Sequence, residues 1–375
     1  MKKKNVFIKL LSLSLAALCA LSLVSCSKDL FKGVESSEED LRVVGTVGDY
    51  EVCYDELYYL IMSCKDIMKT KYGNDIWKTE ASAKEYADEL KDMVMERVTA
   101  NYAVLILCEE YGFKKPLKNK DIVEKVNDQI NSTLYEIATG NGISVTLDES
   151  LSGELVYKYE KGGRDKAEKI FKEALEETYL TERVMRLTMA AEAAFGELTN
   201  ILTEKKELLY SDADVKKFML SDEFICTKHI FIEGLSDESL NKANEVLAEL
   251  RSGTPIENLI AGKYNDDVTA TPEGYYFTRG EMEEAYENAS FALKEGEISN
   301  AVKTDIGYFI IQRCEKSTQY MLGNMSVFSQ QIIYAQVNTK VTERQAKLAL
   351  NMSEFGKSLE FYKIAVAEEN KGDNK

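Results

Sequence analysis

A single histidine occurs in the 375-residue chain, His229, within Lys228-His229-Ile230-Phe231-Ile232. The chain has no paired Cys-x-x-Cys and no His-Glu-x-x-His, so no zinc site is expected. No Gly-x-Ser-x-Gly elbow and no Gly-rich phosphate loop occurs. Acidic residues are plentiful, yet no spacing singles out a catalytic carboxylate pair. No cofactor is expected. Taken alone, His229 reads as a packed strand residue. Met282 and Tyr286 lie four apart and could share a helical face, which reads as core. Asp267 alone reads as a turn residue, and Cys53, Cys64 and Cys108, in apolar contexts, as buried thiols.

The order of short patterns from 222 to 316 carries more than any one of them. Lys228 to Ile232 is followed by a helical stretch and Tyr264-Asn265-Asp266-Asp267. Next come Phe277-Thr278-Arg279-Gly280-Glu281-Met282 and Ala289-Ser290-Phe291-Ala292-Leu293. Gly296-Glu297-Ile298-Ser299 and the run Val302 to Ile311 complete the series. This series resembles the parvulin family of peptidyl-prolyl isomerases across a whole domain. Val43 to Leu57 resembles the start of the helical domain of PrsA/SurA-type foldases, in which a helical chaperone body surrounds a parvulin insert.

The resemblance assigns roles to positions. Met282 and Tyr286 match apolar positions that grip the proline ring, the second being usually Phe in the family. Asp267 matches a Cys or Asp near the isomerising amide. His229 matches the first histidine of a paired motif, and Thr304 a hydroxyl beside it. Phe309, placed with the substrate-binding positions, stands where the family usually has the second histidine, so no His–His hydrogen bond is available. Pro272 to Tyr276 also departs from the family's Gly-Gly-Asp-Leu-Gly, and Glu233 to Glu238 is acidic, which argues against phosphoserine-proline specificity.

The implied reaction fits these residue types. The peptide bond resists rotation by about 18–20 kcal/mol, and uncatalysed X-Pro isomerisation takes tens of seconds or more. A catalyst must hold the proline, exclude water and favour the twisted amide over the planar one. A dry apolar cup with a few polar groups suffices. The alternative reading is a non-catalytic holdase whose parvulin domain is degenerate.

Around that segment the pattern is mainly α, so the expected fold is a helical body with an α+β insert built on a small antiparallel sheet. Residues 1–25 read as a signal peptide: Lys2, Lys3 and Lys4 precede the apolar run Leu10 to Val24, too short for a confident membrane span. Leu23-Val24-Ser25-Cys26 resembles the lipobox of bacterial lipoproteins. The resemblance implies acylation of Cys26, with the protein held on the extracytoplasmic face of a membrane. Residues 26–41 read as a polar tether, and 42–221 as an N-terminal helical domain opened by a hairpin from Val43 to Val52. Residues 222–316 form the parvulin-like part, and 317–375 a C-terminal helical segment.

Hydrophobic spacing predicts a long helix through Leu90, Val94, Val98, Tyr102 and Leu105, another over 121–138, and a further helical run over 165–209. The segments before 222 and after 316 are expected to pack into one body, because neither is complete alone. In the implied fold the first and last strands of the insert are antiparallel neighbours. Cys226 and Cys314 then fall close together, on the face opposite the pocket.

The formal net charge is −17, and removal of the lysine-bearing leader makes it more negative. Such a chain repels phosphate backbones, so no nucleic-acid partner is expected. Unfolded or partly folded secreted proteins are the expected clients.

Overall fold

Local alternation and helix-capping residues account for most of the elements. The computed structural model describes residues 30–31, 34–150, 155–209, 211–264 and 272–372. Cys26 and Asp267 lie outside the described residues. In chain order the strands are β1 (Val43–Val47), β2 (Tyr50–Cys53), β3 (Val145–Glu149), β4 (Leu155–Tyr159), β5 (Phe224–Glu233), β6 (Tyr275–Thr278), β7 (Val302–Lys303), β8 (Gly307–Cys314) and β9 (Asn351–Met352). All other regular elements are helices, so the chain is mainly α with small antiparallel sheets. None of the helices among the described residues is long and apolar enough to cross a membrane.

The chain divides into two units. The first comprises the described residues of 1–62, 94–197 and 348–359. Its sheet has the order β2-β1-β9. The β1–β2 hairpin turns through Gly48, whose φ of +57° suits glycine. β9 arrives from the far end of the sequence and pairs Met352 with Gly45 and Asn351 with Thr46. A Cβ on Gly45 would lie 2.6 Å from the Asn351 carbonyl oxygen, so this approach requires a glycine. Part of the segment after 316 therefore completes a sheet begun before 222, while residues 317–347 fall in the other unit together with 222–316.

Directly after β2, Asp55 and Glu56 open the helix Tyr54–Tyr72. Arg183 Nε donates to Asp55 Oδ2 at 2.9 Å, and Arg183 Nη2 to Asp55 Oδ1 at 2.5 Å. Tyr102 Oη donates to Glu56 Oε2 at 2.7 Å. Burial pushes the Glu56 carboxyl up to about 7. Removing Arg183 would leave the Asp55 carboxylate buried without its cation, a costly defect.

Four local expectations change. The long helix over 90–105 is two helices, Ala87–Val98 and Ala100–Glu110, broken where the Thr99 hydroxyl bonds back to the Glu96 carbonyl at 2.7 Å. The run 165–209 is likewise two, Gly163–Glu177 and Glu182–Glu204, separated at Tyr179, where φ is +59°. The β3–β4 hairpin was not expected at all. Its strands are short and its Leu147 and Leu155 side chains are exposed, so no buried face imprints a strong alternation. The tether shortens as well, because Leu30 is buried and Arg183 lies over the Phe31 ring.

The second unit comprises the described residues of 63–93, 198–347 and 360–372. Its sheet has the order β6-β5-β8-β7. The even-numbered face of β5 is covered on two sides. Helix Asp237–Arg251 packs Ala243, Val246 and Leu250 against Ile230, Ile232 and Ile310. Helix Asp212–Met219, capped by Ser211 as its Ser-x-x-Asp pattern suggests, joins Met325–Gln345 over Phe224, Cys226 and Tyr276. Elsewhere in this unit Glu369 pairs with Lys65 and Lys69 at 2.6 and 2.5 Å, and Trp77 Nε1 donates to the Lys65 carbonyl at 3.2 Å.

Candidate functional site

Strand alternation aims the other face of β5 at the site. Residues 225, 227, 229 and 231 share that face. Antiparallel pairing adds their partners: Phe277 beside Ile225, Tyr275 beside Thr227, Ile311 beside His229 and Phe309 beside Phe231. Helix Glu284–Ala292 lies over this face and lowers Tyr286 onto it. Glu283 caps the helix by accepting from the backbone N–H groups of Ala285 and Tyr286. Met282 therefore stands ahead of the helix rather than on a shared helical face with Tyr286. Both nonetheless pack on the cluster of Ile225, Phe277 and Ile311.

The result is a cup with an apolar floor and one polar line. Phe277 and Ile311 are fully buried, each contributing about 1.5–3 kcal/mol by burial. His229, Phe231, Tyr275, Met282 and Phe309 are half-buried and form the accessible part. The His229 ring stacks on Tyr275 with centroids 4.6 Å apart and planes 15° apart. It meets Phe309 edge-on at 5.1 Å and Tyr286 at 5.4 Å. Tyr286 Oη lies 2.9 Å from His229 Nδ1 and 2.8 Å from Thr227 Oγ1. Burial holds the Tyr286 phenol well above its usual range, so it is a neutral hydroxyl.

Of the positions singled out in the sequence, His229, Met282, Tyr286 and Phe309 come together here. Thr304 does not join their hydrogen bonds. Its hydroxyl donates to the Gly307 carbonyl at 3.1 Å and its N–H to the same oxygen at 2.9 Å, closing the turn between β7 and β8. Two members were missed, Thr227 and Tyr275. Thr227 was recoverable, because it lies two residues from His229 and so shares its face. Tyr275 required the β5–β6 register. Among the described residues no group of three or more His, Cys, Asp or Glu side chains is placed to hold a metal ion.

Behind the cup, Glu281 accepts from the Thr278 N–H at 2.7 Å and from Gln331 Nε2 at 2.9 Å, tying the loop before Met282 to helix Met325–Gln345. Burial pushes its carboxyl up to about 7.

Residues 210–317 match the family described as the PPIC-type PPIase domain. The chain contains a PPIC-type PPIase domain. The cup lies wholly within it, as do all four strands of its sheet. The chain is 25% identical over 294 residues to the foldase protein PrsA of Staphylococcus epidermidis, covering 75% of this chain and 78% of that protein. It is 25% identical over 236 residues to the foldase protein PrsA of Bacillus subtilis, covering 62% and 78% respectively. Among solved structures, the parvulin NmPin of Nitrosopumilus maritimus is 33% identical over 25% of this chain and 97% of its own, with a TM-score of 0.21.

Proposed function

We propose that the chain is an extracytoplasmic foldase that isomerises X-Pro bonds in secreted proteins and holds unfolded clients with its helical parts. The observation that carries this is the apolar cup of Met282, Tyr286 and Phe309 beside half-buried His229, inside a PPIC-type PPIase domain. Met282 and Phe309 offer apolar surface for a proline ring. Excluding water from the amide weakens the solvation that favours its planar, charge-separated form. Only groups that bind the twisted amide better than the planar one accelerate the reaction, and each 1.36 kcal/mol of such preference is worth about tenfold in rate. On this reading Cys26 carries the lipid anchor and 1–25 the address. Residues 42–221 and 317–375 supply the chaperone body around 222–316.

Phe309 favours a second reading, a holdase without catalysis, because its ring can make no hydrogen bond to His229. Refolding of a client limited by a non-native X-Pro bond separates the two. The mature chain without its anchor, added in catalytic amounts, should speed the slow phase without changing its amplitude. An unchanged rate with suppressed aggregation establishes the holdase instead.

A further inference from the structure

Position 309 carries a phenyl ring, so β8 offers His229 only ring hydrogens there. A polar contact comes from the opposite side of the cup. Tyr286 Oη, on the helix that roofs the sheet, reaches His229 Nδ1 at 2.9 Å and Thr227 Oγ1 at 2.8 Å. We infer that Tyr286 and Thr227 are positioning residues that hold His229 as its Nε2–H tautomer. Its catalytic part rests on the isomerase reading given above; the tautomer does not.

The direction of the relay follows from counting protons. Thr227 and Tyr286 each have one hydroxyl hydrogen, and neutral imidazole has one N–H and one acceptor nitrogen. If Nδ1 carried the proton, it would donate to Tyr286, whose own hydrogen would then point at Thr227. The Thr227 hydrogen would need a third acceptor. Thr227 is fully buried, and among the described residues its side chain bonds only to Tyr286. A buried hydroxyl hydrogen without an acceptor is a costly defect. The reverse order leaves none: Thr227 donates to Tyr286, and Tyr286 donates to Nδ1. The remaining imidazole proton then sits on Nε2.

The consequence is chemical. With Nδ1 occupied, the ring is fixed by a hydrogen bond as well as by its stack on Tyr275. The other ring nitrogen is then the donor of the pair. Tyr286 does not grip the substrate on this view. It is 4% exposed and acts through His229.

The chain's single histidine makes the test direct. Imidazole ¹⁵N–¹H spectra of the intact mature chain, recorded above the usual histidine titration range of about 6.5, report one ring with no assignment to make. The wild type should show Nδ1 unprotonated and Nε2 protonated. Tyr286→Phe should mix the two tautomers and lower kcat/KM roughly fivefold, about what one neutral hydrogen bond is worth. A wild-type spectrum with Nδ1–H overturns the inference, and so does a Tyr286→Phe spectrum identical to wild type. Altered tautomers with unchanged kcat/KM overturn the catalytic part. An inactive wild type overturns the isomerase reading, and the spectrum still decides the tautomer.

Discussion

Cys226 on β5 and Cys314 on β8 are register partners, directly opposite each other across the central strand pair of the PPIase sheet. The backbones of Ile311 and Arg313 bond outward, to Ser299 and to Glu297 and Gly296. Residues 310, 312 and 314 therefore turn their N–H and C=O toward β5, which makes Cys226–Cys314 a hydrogen-bonded pair. Such pairs have Cα atoms about 5.5 Å apart, inside the range a disulfide spans. Both thiols are free. They lie on the face away from the cup, as strand parity requires.

A small-molecule disulfide should therefore close a bridge between them. One thiolate attacks the reagent and releases one thiol, and the second cysteine displaces the other. The bond would tie 226 to 314 and raise the melting temperature, while leaving prolyl refolding activity within twofold. Mass spectrometry of non-reduced peptides checks this. Persistent alkylation of both cysteines after oxidation would count against it.

Acid should stabilise the second unit through Glu281. Its folded value of about 7 lies above its ordinary one of 4.5, so the folded form holds the proton more tightly. Stability is then highest below pH 4.5 as far as this group is concerned, and is lost as pH rises through 7. Discounted for partial exposure, the contribution is on the order of 1 kcal/mol. Glu56, also near 7, gives the first unit a slope of the same sign. Glu281→Gln should flatten, without abolishing, the decline in denaturant midpoint between pH 5 and 8. An unaltered slope would contradict the assignment.

Gly45→Ala should destabilise the first unit by about 1–3 kcal/mol, because the new methyl meets the Asn351 carbonyl and Leu350. Deleting 317–375 removes β9 altogether and should lower the stability of what remains, with increased binding of a hydrophobic dye. Residues 42–215 unfolding cooperatively at full stability on their own would refute the shared sheet.

Met282→Ala should reduce prolyl refolding kcat/KM about tenfold, more than His229→Ala, since the apolar grip supplies binding that twisting the amide can draw on. The half-buried position of Met282 limits the accompanying stability loss. Equal activity in Met282→Ala and wild type would place the substrate elsewhere.

Cys26→Ala should abolish fatty-acid labelling and release the protein to the medium or leave uncleaved precursor. Labelling that survives the substitution would exclude Cys26 as the anchor.

Much of this protein is legible in one dimension because its signals are local. Ser211 caps a helix wherever it stands, and the apolar run from Phe224 to Ile232 is a strand with two faces whatever covers them. The closeness of Cys226 and Cys314 followed from strand parity together with the antiparallel strand neighbours that the resemblance implies, and the register made them exact partners. The grouping of His229 with Met282, Tyr286 and Phe309 was visible through the order of their motifs. Tertiary structure decided what each of these side chains touches. Tyr286 could be read only as a ring until the roofing helix set its hydroxyl between Thr227 and His229. Thr304 stood in sequence as a site hydroxyl, but the tight turn to Gly307 takes its hydrogen bond. Glu281 became a group with a displaced pKa only when Met325–Gln345 folded over it. Propensity and periodicity act over a few residues, whereas hydrogen-bond partners and desolvation depend on chain segments tens to hundreds of residues apart.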